Sequence, residues 1–222
     1  MVRSAELLAQ RRSFLHLTDI SQRLLDTAAT RLQTAGLANR IVNVVQASAT
    51  HLAHIETETC DGVLLLGPLY HLPDLADREQ AVREAARILK PKGVLFAAAI
   101  NRLAYLRDSF RENGDLGAEE RTFHAQFLLD GNLDPEHAPP IAYAHLSTSD
   151  EFRALFTPTF DEIAYVGVES FTGVWSAKLK ELSHDASEAW LDLVEQTGQS
   201  SDGLGASDHF LYIGRKRLQS ST

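Results

Sequence analysis

Asp19 and the loop Gly67-Pro68-Leu69-Tyr70-His71 are the groups in this chain best suited to hold and act on a polar ligand. A carboxylate at the carboxyl end of a strand accepts hydrogen bonds from both hydroxyls of a vicinal diol such as a ribose, a charge-assisted bidentate contact. Asp19 follows the apolar run 14–17 and precedes Ile20 and Ser21. A plain capping role for Asp19 is the competing reading, although Ser21 already offers that cap. The same carboxylate would suit NAD, so it does not by itself choose a cofactor. The His71 imidazole titrates near neutrality and suits removal of a proton from an attacking oxygen or nitrogen. Tyr70 can stack or hydrogen-bond beside it; packing of the loop by Tyr70 and Leu72 is the alternative. Arg102, Tyr105, His124, Tyr143 and His145 are candidates to line a substrate pocket, though each alone is ordinary as a solvated or packing residue. The single cysteine, Cys60, reads as a packed thiol before a buried strand. His51 and His54 lack a carboxylate or cysteine to complete a metal set, so no metal site is expected.

The elements that must position these groups are clearest in residues 61–102. Val63, Leu64, Leu65 and Leu66 form an apolar run without polar alternation, as expected for a strand covered on both faces. Asp77 and Gln80 have the spacing of a capping box. Val82, Ala85, Ala86 and Leu89 then recur as one apolar stripe. Pro91 and Gly93 stop this helix, and residues 94–100 are apolar again. Strand, helix and strand make a βαβ unit with parallel strands and a right-handed crossover. Upstream, residues 1–12 read as helix, 14–17 as strand, 21–35 as helix and 41–45 as strand. The 21–35 helix has Ser21 as N-cap, Gly36 as its stop and a stripe of Ile20, Leu24, Ala28 and Leu32. Residues 101–146 lack clear periodicity, are rich in charge and carry the loop strings NGDLG and NLDPEHAPP. They read as an insertion over the carboxyl edge of the sheet, where α/β ligand sites lie. Thr148 and Glu151 could cap a short helix; 163–168 reads as strand, 186–194 as helix, 198–205 as a flexible loop and 210–215 as the last strand. The fold class is α/β, a doubly wound and mostly parallel sheet in one domain, 1–222. Residues 1–100 form the cofactor part, 101–146 the substrate-covering insertion and 147–222 the remaining strands and helices.

The strings LLLGPLYHL, ADR and EAARILKPKGVLFAAAINR closely resemble the fourth-to-fifth-strand region of Rossmann-like S-adenosylmethionine-dependent methyltransferases. HLTDIS, residues 16–21, resembles the end of their second strand, where an acidic residue holds the cofactor ribose. Residues 41–52 resemble the third strand and its loop, and FLYIGR the last strand. The resemblance implies that Asp19 and Ile20 hold the cofactor ribose. It places Ser48 and Ala49 at the adenine, with serine where many relatives have aspartate, and Gly67 close to the methyl donor. Tyr70 and His71 then stand at the reaction centre; Arg102, Tyr105 and His145, from their place in or beside the insertion, are the substrate-binding candidates. Glu169-Ser170-Phe171 resembles a segment that approaches the pocket in relatives. The Asn/Asp-Pro-Pro-Tyr signature of enzymes that methylate planar nitrogens in nucleic acids and proteins is replaced here by Leu66-Gly67-Pro68-Leu69, which favours a small molecule.

One departure stands out. In that family the first strand ends in a glycine-rich loop, whose backbone approaches the cofactor closely with positive φ. The first glycine here is Gly36, beyond Asp19, and residues 1–12 resemble the tail of the helix that follows such a loop. The family's first strand lies in mid-sheet, so its absence is not an edge effect. The expectation is therefore a methyltransferase whose first strand is missing, through a late start or a fragment. The alternative is a non-catalytic relative that has lost cofactor binding, or one whose gap is closed by a partner or a re-paired strand.

Composition sets the outer limits. At 222 residues and 44% hydrophobic, the chain can bury a sizeable core. A net charge of −9 argues against a nucleic-acid substrate, which needs a basic surface. One cysteine excludes an internal disulfide and suits a reducing cytoplasm. No apolar stretch is long enough to span a bilayer, and the N-terminus does not resemble a secretory signal. The expected partner is a small-molecule substrate, with neither nucleic acid nor membrane; a homodimer is compatible with the chain.

Overall fold

The computed structural model describes residues 2–11, 13–112, 114–136, 143–179 and 181–218. Helix α1 (Val2–Gln10) leads to β1 (Leu15–Asp19), α2 (Gln22–Thr34) and β2 (Ile41–Gln46); then come β3 (Cys60–Leu65), α3 (Leu75–Ile88) and β4 (Leu89–Ile100). The next segment holds α4 (Arg102–Glu112), α5 (Ala118–Asp130) and two short strands, β5 (Asn132–Leu133) and β6 (Ala144–His145). The chain finishes with α6 (Ser149–Ala154), β7 (Phe160–Gly167), α7 (Ser176–Leu179), α8 (His184–Gly198), α9 (Ser201–Ala206) and β8 (His209–Lys216).

The βαβ expectation holds: β3 pairs with β4 in parallel, from Cys60 opposite Leu89 to Leu65 opposite Ala97. Cys60 faces Leu89 but Gly62 already faces Val94, so the Pro-Lys-Gly turn survives as a bulge at 90–93 within one long strand. Lys92 takes a positive φ of 66° there, and a Cβ on Gly93 would lie 2.9 Å from the Lys90 carbonyl. β8 runs antiparallel between β4 and β7, giving the order β3-β4-β8-β7. β1 and β2 form a separate parallel pair. No ladder joins β1 to β3 among the described residues, so the sheet is interrupted between them, where the resemblance puts the family's first strand.

That interruption corrects one expectation. Residues 63–66 are not covered on both faces: Leu65 is buried, but Leu64 is 40% exposed. β3 ends its four-stranded sheet, and only the side facing α3 is closed over. The main core lies there, with Leu65, Leu69, Ala81, Val82, Ala85 and Leu95 packed with Phe152, Phe156, Phe160 and Tyr212. A second core joins Ala5 and Ala9 of α1 to Leu15 and Leu17 of β1 and Leu25, Ala28 and Leu32 of α2. The stripe read from Ile20 and Leu24 is displaced by one position, because Ser21 caps the helix and leaves Ile20 outside it at 68% exposure. The Asp77–Gln80 capping box is also absent: α3 starts three residues earlier, at Leu75 with Asp74 as N-cap, and Asp77 lies in its first turn.

Residues 101–146 are more ordered than their sequence implied. α4 and α5 enclose a small aromatic core in which Phe127, Leu133, Ala144 and Leu146 pack with Tyr105 and Phe123. Of the NLDPEHAPP string, residues 137–140 lie outside the described residues. The loop expected at 198–205 is largely helix α9, which Ser200 caps by accepting from Gly203 N at 2.9 Å. The helix at α6 forms as expected, with a complete Thr148–Glu151 capping box. No helix among the described residues is long and apolar enough to cross a membrane.

Candidate active site

Asp19 and the Gly67–His71 loop stand at the carboxyl ends of β1 and β3, on the two sides of the interruption. Asp19 ends β1. Its Oδ1 accepts from the Ser21 amide at 2.8 Å, while Ser21 Oγ in turn accepts from Leu24 N. The capping and ligand readings are therefore not exclusive: one oxygen of Asp19 orders the helix entry, and Oδ2 has no protein partner among the described residues. Gln46 donates to the Ile20 carbonyl at 2.8 Å, which fixes the main chain beside Asp19 and leaves the Ile20 side chain exposed.

Ser48 is occupied locally. Its hydroxyl lies 2.8 Å from that of Thr50 and accepts from the Thr50 amide, closing a small turn in which Ala49 packs against the main core. The loop beyond it is fastened to α3: Glu84 accepts from Leu52 N at 2.7 Å, and Arg87 donates to the Leu52 and Ile55 carbonyls. His54 of that loop meets the Thr18 hydroxyl of β1 at 3.0 Å. Thus the Asp19 strand is tied to the helix that follows the Gly67 loop, although no backbone ladder connects the two sheets among the described residues. Burial first, then His16 and His51, lowers the His54 pKa, so this contact belongs to the neutral ring.

Residues Pro68–His71 form a 3-10 turn pinned by Leu69, which is fully inside the core. Gly67 itself has an extended φ of −163°, and a Cβ placed on it would meet the Tyr70 hydroxyl at 3.6 Å. That is an ordinary contact distance, so neither crowding nor a left-handed conformation requires glycine here. Burial raises the Tyr70 pKa, so its hydroxyl keeps its proton and can donate. His71 is exposed and stands against Tyr70 with ring centroids 4.7 Å apart.

The insertion reaches this loop through β6, which lies against the 68–71 turn. His145 is buried there, with Nδ1 at 2.9 Å from Asn132 Oδ1 across the short strand pair. Because that oxygen accepts, Nδ1 carries the proton and Nε2 is an acceptor. Burial, reinforced by Arg78 and Arg102, lowers the His145 pKa to about 4. Arg78, buried in α3, donates to the Leu72 and Pro73 carbonyls and closes the loop after His71.

Arg102 and Tyr105 sit elsewhere. Arg102 is a strut with its guanidinium on the Leu146 and Leu128 carbonyls and on Glu151. Tyr105 belongs to the aromatic core, 5.0 Å from Phe127. Of the three substrate-binding candidates, only His145 is brought to the Tyr70–His71 turn. Sequence reasoning missed Arg78 and Asn132. Arg78 had a signal, because it lies within the buried stripe that includes Ala81 and Val82; Asn132 had none, since its partner is 13 residues away.

The ribose half of a nucleoside cofactor finds a matching group in the open oxygen of Asp19. The other half does not: the described glycines with positive φ are Gly36 and Gly131, at helix ends, and no backbone cradle of that kind stands beside β1.

Residues 2–97 match the family model described as a methyltransferase domain. A methyltransferase of Streptomyces halstedii, GfsG, is 34% identical over 82 residues; these are 37% of this chain but only 28% of that protein, so the chain matches little more than a quarter of its relative's length. Among solved structures, a SAM-dependent methyltransferase of Methanosarcina mazei superposes with a TM-score of 0.55 at 18% identity, covering 91% of this chain and 81% of that one. The PH0226 protein of Pyrococcus horikoshii gives 0.56 at 14%, covering 95% and 75%. The [4+2]-cyclase SpnF gives 0.53 at 16%, covering 91% and 66%. In that neighbour the same fold carries a chemistry named as cyclisation. Residues 2–97 thus resemble the methyltransferase domain family, and the chain as a whole has the Rossmann-like α/β fold of these solved structures.

Proposed function

We propose that this chain is an S-adenosylmethionine-dependent methyltransferase acting on a small molecule. The observation that carries the reading is the pairing, at the carboxyl ends of β1 and β3, of the unpartnered Asp19 oxygen with the Gly67–Tyr70 turn, tied together through Thr18, His54 and α3. Bound there, the cofactor would supply a sulfonium-activated methyl group. Asp19 would hold the ribose diol, and the Ala49 backbone would border the adenine in place of an acidic side chain. Tyr70 would donate its hydroxyl to the acceptor, while the insertion, docked through β6, would exclude water. The net charge of −9 supports a substrate other than a nucleic acid.

The interrupted sheet and the missing backbone cradle favour a second reading, a non-catalytic relative without cofactor binding. Calorimetric titration of S-adenosylhomocysteine into the 222-residue chain separates the two. Micromolar binding, weakened by about 1–3 kcal/mol in Asp19→Ala, is the expected result. A folded protein that takes up no ligand overturns cofactor binding by the chain as given, and unchanged affinity in the variant removes Asp19 from the site.

A further inference from the structure

The end of the sheet away from Asp19 and Gly67 carries a cleft of about 520 Å³ that the site described above does not use. It opens where the amino ends of β3, β4 and β7 meet the last residues of β8. Its walls are the final turns of α3, the turn 57–58, the bend 158–159 and residues 216–218. These walls are bonded to one another. The Glu58 and Thr59 amides donate to the Arg87 and Ile88 carbonyls at 3.0 Å, which docks the turn on the end of α3. The Arg217 amide donates to the Thr159 carbonyl at 3.1 Å, one step beyond the β7–β8 ladder. Lys216 is buried and joins β8 to β4, donating to the Leu89 carbonyl at 2.7 Å and to Glu58 at 3.1 Å.

The charge of the cleft is opposite to that of the chain. Against 30 acidic residues the chain has 21 basic ones, yet the lining holds Arg83, Arg87, Lys216 and Arg217 with one carboxylate, Glu58. Each cation has an acidic partner: Glu79 for Arg83 at 3.6 Å, Glu84 for Arg87 at 2.8 Å, Glu58 for Lys216 and Asp161 for Arg217 at 2.7 Å. Only Glu58 of these four carboxylates lines the cleft. Arg87 engages all three of its nitrogens, on Glu84, Thr57 and the Leu52 and Ile55 carbonyls, so it lends charge and rigidity but no free donor. Arg83 has Nε on Gln80 and Nη1 beside Glu79; Arg217 has Nε on Asp161 and Nη1 on the Pro158 carbonyl. Neither Nη2 donates a hydrogen bond among the described residues. Lys216 keeps a third proton beyond its two bonds.

We propose that this cleft binds a small phosphate monoester, with Arg83, Arg217 and Lys216 on the phosphate. Guanidinium edges and an ammonium match the oxygens of a phosphate dianion. Ala86, Pro158 and Leu218 line the same cleft and cover the apolar body of the ester. A long polyanion, whether a nucleic acid or an anionic bilayer, would meet the repulsion of a chain whose net charge is −9. Glu58 is the competitor built into the site. It takes a positive φ of 58°, unfavourable for a residue with a Cβ, and its carboxylate stands on Lys216 where the phosphate would bind. The phosphate displaces it. The site lies roughly 20 Å, the length of β3, from the Gly67 end of the sheet, and it does not depend on the methyltransferase reading.

The test is a titration of the full chain with phenyl phosphate, followed through the backbone amides by NMR, with sodium chloride at equal ionic strength as the blank. Saturable shifts at Glu58, Thr159 and Arg217 are expected, with Asp19 and Gly67 unmoved. Inorganic phosphate should bind the same residues more weakly, because it leaves the apolar wall bare. Arg83 and Arg217 are exposed, so Arg83→Gln and Arg217→Gln keep the fold; each is expected to weaken binding about tenfold. Glu58→Gln removes the competitor and should tighten binding about two- to fivefold. Shifts that grow without saturating, as in the chloride blank, or an affinity that the arginine variants leave unchanged would overturn the proposal. Sedimentation with phosphatidic acid vesicles, abolished by Arg217→Gln, would overturn the assignment to a soluble ester in favour of a lipid headgroup.

Discussion

The guanidinium of Arg102, at the start of α4, binds the same Glu151 oxygen that closes the capping box of α6. Its Nε donates to the Leu146 carbonyl at 3.1 Å and its Nη1 to the Leu128 carbonyl at 3.1 Å. One buried side chain therefore gathers the end of α5, the strand leaving the insertion, and the helix after it. Gly131 is part of this junction. It ends α5 with φ of 73°, and a Cβ there would press on both the Leu146 carbonyl and the guanidinium. For Glu151, burial opposes ionisation, but the Thr148 amide and Arg102 outweigh it and lower its pKa.

Removing Arg102 should therefore loosen the insertion, not only an ion pair. Arg102→Met is expected to cost about 2–3 kcal/mol, because two carbonyls and a partly buried carboxylate lose their donor. Arg102→Lys should recover only part, since an ammonium cannot span the same fork. Urea unfolding of both variants checks this; a loss under about 0.5 kcal/mol, the range of an ordinary surface change, would show that the strut carries nothing.

β1 to β4, β7, β8 and the βαβ unit were legible as apolar runs, whereas β5 and β6, two residues each, were not. Asp19 and Gly67 were legible for the same reason, as the residues that follow such runs. α5 was not: of its apolar residues Phe127 is buried while Leu128 and Leu129 are 48% and 75% exposed, so no stripe marks the helix. α9 was hidden by its glycines, which lower helix propensity yet here permit close packing. The roles of Arg102 and His145 depended on Glu151 and Asn132, 49 and 13 residues away, and pairing at that range leaves no local pattern.

His145 gives the fold a specific sensitivity to acid. Its folded pKa of about 4 lies below the ordinary 6.5, because burial penalises the cation and Arg78 and Arg102 repel it. The unfolded chain thus binds a proton that the folded one refuses. This contribution is fully present above pH 6.5, erodes as pH falls toward about 4, and amounts to something on the order of 3 kcal/mol across that window. Urea midpoints of the wild type and His145→Gln, compared from pH 7.5 to 4.5, should converge or cross as the pH falls. Parallel curves would mean that the buried imidazole does not titrate as described.

Two glycines of α9 should respond to alanine in opposite directions. Gly203 faces the Thr197 carbonyl of α8, and a Cβ there would lie 2.1 Å from that oxygen; around Gly205 no atom comes within 4 Å. Gly205→Ala therefore only reduces the freedom of the unfolded chain in a helical position and should stabilise by about 0.4–1 kcal/mol. Gly203→Ala must push α8 and α9 apart and disturb the Ser207 hydroxyl bond to the Gly203 carbonyl, at the turn into β8. A loss of about 1–3 kcal/mol is expected, as for overpacking elsewhere. Thermal unfolding of the two variants side by side tests the packing directly. Equal shifts of one sign would mean that α9 does not seat against Thr197.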